Sequence, residues 1–329
     1  MDPFDVYGIG NALVDTEYQV SVSFLDQLGL SKGVMTLVDE DEQMRLVAAL
    51  NEIDHAPKRA GGGSAANTVV TAAQLGIRSF YTCKVANDPS GDFFVADLAR
   101  AGVSTNLGSD RDDGVTGECV SLVTPDADRT LQTHLGITES LSTQELDADA
   151  LAGCRWLYIE GYLVTSPTAF AAALEAQAAV RKNGGKVSLT LSDPAIVEAF
   201  KPSFDQLFEA GIDLTFCNED EAKLWAGETN TDATLAALAA VSPEYAYTMG
   251  KDGAVVSDGS SNYRIAGKPV AAVDTTGAGD TFAGVFLAGI CNGLGYEEAA
   301  QRANNAAAAV VTRFGARLTT EELNAALPG

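Results

Sequence analysis

Short apolar stretches, mostly β-branched or aromatic, recur along the chain with helical segments between them: Val6 to Gly10, Phe80 to Val85, Trp156 to Ile159, Val187 to Leu191, Leu214 to Cys217, Tyr245 to Met249 and Val270 to Val273. This alternation predicts an α/β fold in which a mostly parallel sheet is flanked by helices. The intervening segments are rich in alanine. Thr168 to Arg181 is one, and it runs into Asn183-Gly184-Gly185, a C-terminal stop; Tyr296 to Val311 is another. Two regions break the rhythm, residues 12–38 and 116–135, where short alternating strands such as Glu118 to Val123 are separated by turns like Pro125 to Asp128. These read as β-ribbons inserted into one α/β domain spanning 1–329. Paired, they would form a small sheet that covers a site as a lid and excludes water.

With 329 residues, 46% of them hydrophobic, the chain can bury a substantial core. The charge narrows its partners: 21 Lys and Arg stand against 45 Asp and Glu, a net charge of -24. Such a surface repels nucleic acid and anionic membranes and aids solubility. An anionic substrate would need local compensation, from helix N-termini and a divalent cation. The acidic start Met1 to Asp5 lacks a basic and apolar leader, and no apolar run reaches the ~20 residues that span a bilayer, so a cytoplasmic protein is expected. Five cysteines without a Cys-x-x-Cys pair read as reduced thiols, mostly buried, and two histidines, His55 and His134, give no zinc spacing. His134 reads as a strand residue near a ligand.

The segment richest in chemistry is Asp274-Thr275-Thr276-Gly277-Ala278-Gly279-Asp280, an apolar stretch running through small residues into a helix. Gly277 and Gly279 let the backbone curl so that successive N–H groups face one anion, and the helix N-terminus adds partial positive charge. A carboxylate there, Asp280, has two readings. It caps the helix, or it takes the proton of a hydroxyl that attacks the bound phosphate. The chain has no Gly-x-x-x-x-Gly-Lys-Ser/Thr loop, and Gly8-Ile9-Gly10 lacks the third glycine of a dinucleotide fingerprint, which counts against a dehydrogenase.

This segment resembles the C-terminal signature of the pfkB/ribokinase family of carbohydrate and nucleoside kinases, and Gly61-Gly62-Gly63-Ser64-Ala65-Ala66-Asn67 resembles its N-terminal di-glycine signature. Gly10-Asn11-Ala12-Leu13-Val14-Asp15 and Leu189-Thr190-Leu191-Ser192 are similar to segments of the adenosine kinase-like group in particular. The resemblance implies an ATP- and Mg²⁺-dependent kinase acting on a small-molecule nucleoside or sugar, adenosine first and ribose or fructose as alternatives, in a monomer or homodimer. It implies Asp280 as base with Gly277, Ala278 and Gly279 around the transferring phosphoryl group. Asn11, Asp15, Gly62, Gly63, Asn67 and Tyr162 would bind the acceptor. Thr248, Gly250, Gly253 and Asn304 would line the nucleotide side. Asn218 and Glu221 would join them on the nucleotide side, facing the phosphates and organising Mg²⁺ through water, and Asp274, Thr276 and Gly315 would hold K⁺, as in many members. Ala195 stands where an aromatic wall against a purine is expected. A non-catalytic sugar- or nucleoside-binding regulator is the rival reading, and the presence of Asp280 with both glycines counts against it, because binding alone needs no base.

Overall fold

The computed structural model describes residues 3–52, 58–125 and 129–327; His55 and most of the Pro125 to Asp128 turn lie outside them. The large sheet has eight strands in the order Asn262–Ala266, Gly253–Asp258, Glu244–Thr248, Leu214–Asn218, Lys186–Thr190, Trp156–Ile159, Val6–Ile9, Ser79–Thr82. From Glu244–Thr248 to Ser79–Thr82 every pairing is parallel, and the two strands at the other edge add antiparallel. Why the central strands are continuously apolar follows from their two-sided burial. Trp156 and Tyr158 enter one core with Phe282 and Phe286, while Leu157 and Ile159 enter the other with Ala172 and Phe204. The alanine-rich helices Pro167–Lys182 and Tyr296–Val310 form where the sequence predicts them.

One expected strand is absent. Val270 to Val273 is irregular and its two valines are exposed; the N–H groups of Val273 and Asp274 both donate to the Val311 carbonyl at the end of the Tyr296–Val310 helix. The segment's backbone is thus satisfied by a helix terminus rather than a ladder. The hairpin Gly253–Asp258 and Asn262–Ala266 supplies that edge instead.

A second, five-stranded sheet runs Met35–Leu37, Arg129–His134, Gly117–Val123, Leu13–Gln19, Lys58–Gly62. The strand Leu13–Gln19, between Gly117–Val123 and Lys58–Gly62, alternates: Val14, Thr16 and Tyr18 are buried, and Leu13, Asp15 and Glu17 lie on the half-buried opposite face. Tyr18 packs with Val120, Leu122 and the helix residues Leu25, Leu46 and Leu50. Residues 12–38 are therefore not strands alone. They include the helix Val22–Leu28, capped by Ser21 and closed by Gly29 at φ 66. A strand outside the expected ribbons, Lys58–Gly62, completes the sheet and delivers the glycine run to the helix Ser64–Gln74. His134 ends its strand with a ring nitrogen 3.2 Å from the Val38 carbonyl. All five cysteines are free, three of them buried and Cys119 and Cys291 half-buried. Among the described residues no helix is long and apolar enough to cross a membrane.

Candidate active site

The helix Ala278–Cys291 begins after Gly277, whose φ of 75 and lack of a side chain are both needed: a Cβ there would stand 2.2 Å from the Ala316 carbonyl oxygen. Asp280 is the third residue of this helix, so its own N–H and that of Gly279 lie in the first turn, where no carbonyl one turn back can serve them. The capping role for its side chain is overturned. Gly277 holds the cap position, and the Asp280 carboxylate turns to the neighbouring helix, where Oδ1 accepts from Ser64 Oγ (2.6 Å) and Oδ2 from Asn67 Nδ2 (2.8 Å). Burial raises the Asp280 pKa, while Ser64, Asn67 and the charge of Arg317 oppose the rise.

Two further carboxylates approach this one. Asp15, from the open face of the small sheet, is pushed up to about 6 by burial against the pull of Arg317 and Arg129, with Asp280 adding to the rise. It leans on Gly62, where a Cβ would lie 2.5 Å from its carboxylate oxygens. Glu160 follows the strand Trp156–Ile159 and is buried. Its Oε2 accepts from Ala65 N–H (2.8 Å) and its Oε1 from Asn11 N–H (3.3 Å), yet burial still drives it to about 7. The Asn11 carbonyl accepts from the Tyr81 hydroxyl (2.8 Å). Gly63, at φ 94, passes beside that carbonyl: a Cβ would be 2.3 Å from it. So Asn11, Asp15, Gly62, Gly63, Asn67 and Asp280 converge.

Tyr162 is the second residue of the short turn Gly161–Thr165 and shares the electrostatic environment of the site. Burial raises its hydroxyl pKa, and Asp193, Glu160, Asp280 and Glu221 add to it. The turn is pinned by Ser192, whose Oγ accepts from Gly161 N–H (3.0 Å); Ser192 is the one non-glycine residue with positive φ (69) among the described residues. Ala195 is exposed in the first turn of Pro194–Glu209 and offers no wall.

On the other side of Gly279 a cavity of about 680 Å³ opens, lined by Thr248, Gly250, Gly253, Asn304, Ala278 and Gly279 together with Lys251 and Lys268. Four of the six residues expected on the nucleotide side, Thr248, Gly250, Gly253 and Asn304, are on this wall. Asn304 is buried with its amide donating to the Ala266 carbonyl (3.1 Å). Asn218 and Glu221 are not on its wall. They close a capping box at the start of Glu219–Ala226: Glu221 Oε2 accepts from Asn218 N–H (2.9 Å), Oε1 from Asn218 Nδ2 (2.6 Å), and Asn218 Oδ1 from Glu221 N–H. Burial pushes Glu221 to about 7. With both oxygens engaged, this carboxylate suits a hydrated Mg²⁺ met through water rather than a bare one.

The residues expected to hold K⁺ do not fit that ion in this arrangement. Asp274 Oδ1 accepts from Thr276 N–H and Oδ2 from Gly315 N–H (3.0 Å each), and the guanidinium of Arg129 lies 3.1 Å from Oδ2, so protein donors and a protein cation already satisfy the carboxylate. Among the described residues no group of three His, Cys, Asp or Glu is arranged to hold a metal. Sequence reasoning missed Ser64, Glu160, Arg129 and Arg317. Glu160 carried a signal, a carboxylate at the C-terminal end of an apolar strand, where open α/β sheets bind ligands; the arginines carried none.

The pattern of pfkB family carbohydrate kinases matches residues 33–323. A probable sugar kinase from Rhizobium etli superposes with a TM-score of 0.89 at 32% identity, over 99% of this chain and 98% of the other. The adenosine kinase of Sinorhizobium meliloti gives 0.88 at 33%, over 98% of each. The adenosine kinase of Saccharomyces cerevisiae is 28% identical over 96% of this chain and 97% of its own, and mouse ribokinase 31% identical over 77% and 79%.

Proposed function

This chain belongs to the pfkB family of carbohydrate kinases and is a phosphotransferase with an alcohol acceptor; from that premise we propose that the acceptor is a ribose-containing nucleoside, adenosine ahead of free ribose or fructose. Kinases of this family use ATP, usually with Mg²⁺. ATP is read into the 680 Å³ cavity, with its γ-phosphate at the N–H groups of Gly279 and Asp280. Asp280 accepts the proton of the attacking hydroxyl. The observation that carries this reading is the Asp280 carboxylate itself, held by Ser64 and Asn67 at the N-terminus of a helix that opens on the cavity. A structural role at that position is met by Gly277, and a negative charge beside a phosphate site is otherwise unfavourable. Mg²⁺ bound with the nucleotide supplies neutralisation of the phosphate charge. Asn218 and Glu221 would orient its water shell.

The nucleoside reading is supported by the reach of the likeness, which spans 96% or more of this chain for the adenosine kinases and 77% for ribokinase. Asp15 and Asn11 suit the vicinal hydroxyls of a furanose, and Tyr162 supplies one aromatic face for a base. The exposed Ala195 leaves the second face open, which favours a plain sugar as the competing acceptor. The test is kcat/KM from ADP release with adenosine, guanosine, 2'-deoxyadenosine, ribose and fructose. Adenosine is expected to lead, exceeding 2'-deoxyadenosine by well over ~10-fold because a buried carboxylate left without its hydroxyl partner is costly. A higher value for ribose or fructose overturns the nucleoside assignment and leaves the kinase chemistry standing.

A further inference from the structure

Arg317 follows the loop whose Ala316 carbonyl packs against Gly277. We infer that Arg317 is a positioning residue for the base: it locks the Asn67 side-chain amide so that Nδ2 faces Asp280, and it is held in place for this by Asp97. Arg317 Nε donates to Asn67 Oδ1 (2.6 Å), Asn67 Nδ2 donates to Asp280 Oδ2 (2.8 Å), and Arg317 Nη1 donates to Asp97 Oδ2 (2.6 Å). The two ends of this chain admit one amide orientation. A guanidinium only donates and a carboxylate only accepts, so the oxygen of Asn67 must face Arg317 and its nitrogen Asp280.

Two observations separate this role from simple stabilisation. Arg317 Nη2 is buried with no hydrogen-bond partner among the described residues, so the guanidinium is set by what Nε and Nη1 reach rather than by full satisfaction of its donors. The contacts also join parts of the chain far apart in sequence, with Asp97 in the helix Pro89–Arg100, Asn67 in Ser64–Gln74 and Asp280 in Ala278–Cys291. Among the groups sharing the Asp280 environment, Asp15, Glu160 and Glu221 are negative when ionised, and Tyr81, Tyr158 and Tyr162 have pKa values raised by burial and stay neutral. Arg317 is the cation that favours the ionised base in this surrounding.

The inference rests on Asp280 being the base, and the experiment separates the two. The pH profile of kcat is measured with Mg·ATP and adenosine, or ribose should ribose be the faster acceptor, for the wild type, Asp280→Asn, Arg317→Gln, Arg317→Lys and the double variant Asp97→Asn/Arg317→Gln. Loss of the cation destabilises the ionised base, so its pKa rises. Arg317→Gln therefore moves the acid limb up by about one pH unit, with KM for ATP within about 2-fold of wild type. Arg317→Lys keeps the limb in place, because the charge remains, and lowers the plateau by about 10-fold, because a lysine lacks the planar fork that meets Asn67 through Nε and Asp97 through Nη1 at once. The double variant, which leaves no unpaired Asp97 carboxylate, reproduces the shifted limb in a protein that keeps its thermal transition. An unmoved limb in both Gln-containing variants, or a uniform loss of kcat at every pH with the transition lowered, overturns the inference. Near-normal turnover in Asp280→Asn overturns the base reading beneath it.

Discussion

The Asp280 carboxylate is half-buried, carries two donors from one neighbouring helix and lies among other acids, a placement that is unfavourable unless the group works. Asp280→Asn keeps nearly the same shape and should lower kcat by at least ~10²-fold while ATP binding, followed by a fluorescent nucleotide analogue, stays intact. Residue identity in the signature segments was legible, because glycines and a lone Asp in a small-residue run have few other uses. Glu160 shows the limit of that legibility. It stood next to Tyr162 in the same short segment, and nothing in the sequence says that its two oxygens hold Asn11 and Ala65, residues 149 and 95 positions away. Glu221 belongs at this scale too: Glu221→Gln should raise the Mg²⁺ concentration giving half-maximal rate by several-fold with acceptor KM nearly unchanged, since the group acts on the ATP side. An unchanged Mg²⁺ titration would contradict its placement near the metal.

At the scale of elements, the site is a meeting of two helix N-termini. Ser64–Gln74 starts at Gly63 and Ala278–Cys291 at Gly277, both glycines having positive φ, and each start is wedged against a carbonyl from elsewhere, that of Asn11 or Ala316. A side chain at Gly63 would both strain the backbone and push the Asn11 carbonyl away. Gly63→Ala is therefore expected to raise the acceptor KM by ~10-fold or more while the KM for ATP changes less than ~3-fold, because the strain falls on the Asn11 side of the site. Equal losses on both substrates would mean that the whole helix has moved. The expected β-ribbon over residues 12–38 shows what alternation misses: Ser21 to Gly29 carries a helix cap at each end, and those caps decide the local structure over the alternating pattern around them.

For the whole molecule, the buried acids tie stability to pH. Asp15 at about 6 and Glu160 and Glu221 at about 7 are all raised above their ordinary values, so the folded protein holds protons that the unfolded chain has released. Their contribution is fully present below about pH 4 and is lost as pH rises through 6 to 7. In substrate-free protein at constant ionic strength, Tm should be higher at pH 5.5 than at pH 8.5 by more than ~3 °C. The net charge of -24, which grows more repulsive as acids ionise, acts in the same direction. The Glu160→Gln/Glu221→Gln double variant should flatten the slope across that window, and a slope as steep as wild type would show that these carboxyls are not its source.

What the sequence determined by itself was the fold class, the order of the central strands' apolar segments and the positions of the glycine-rich turns. These are local: a strand buried on both faces must be apolar throughout, and a backbone that curls around an anion must lack side chains. Only the tertiary structure decided that Val270 to Val273 docks on a helix end, that Asp280 turns away from its own backbone toward Ser64 and Asn67, that Arg129 stands against Asp274, and that Arg317 reaches Asn67 from 250 residues away. Each of these is a choice of hydrogen-bond partner among groups distant in the chain. Such choices follow from which surfaces the packed helices bring together, and no spacing along the sequence encodes them.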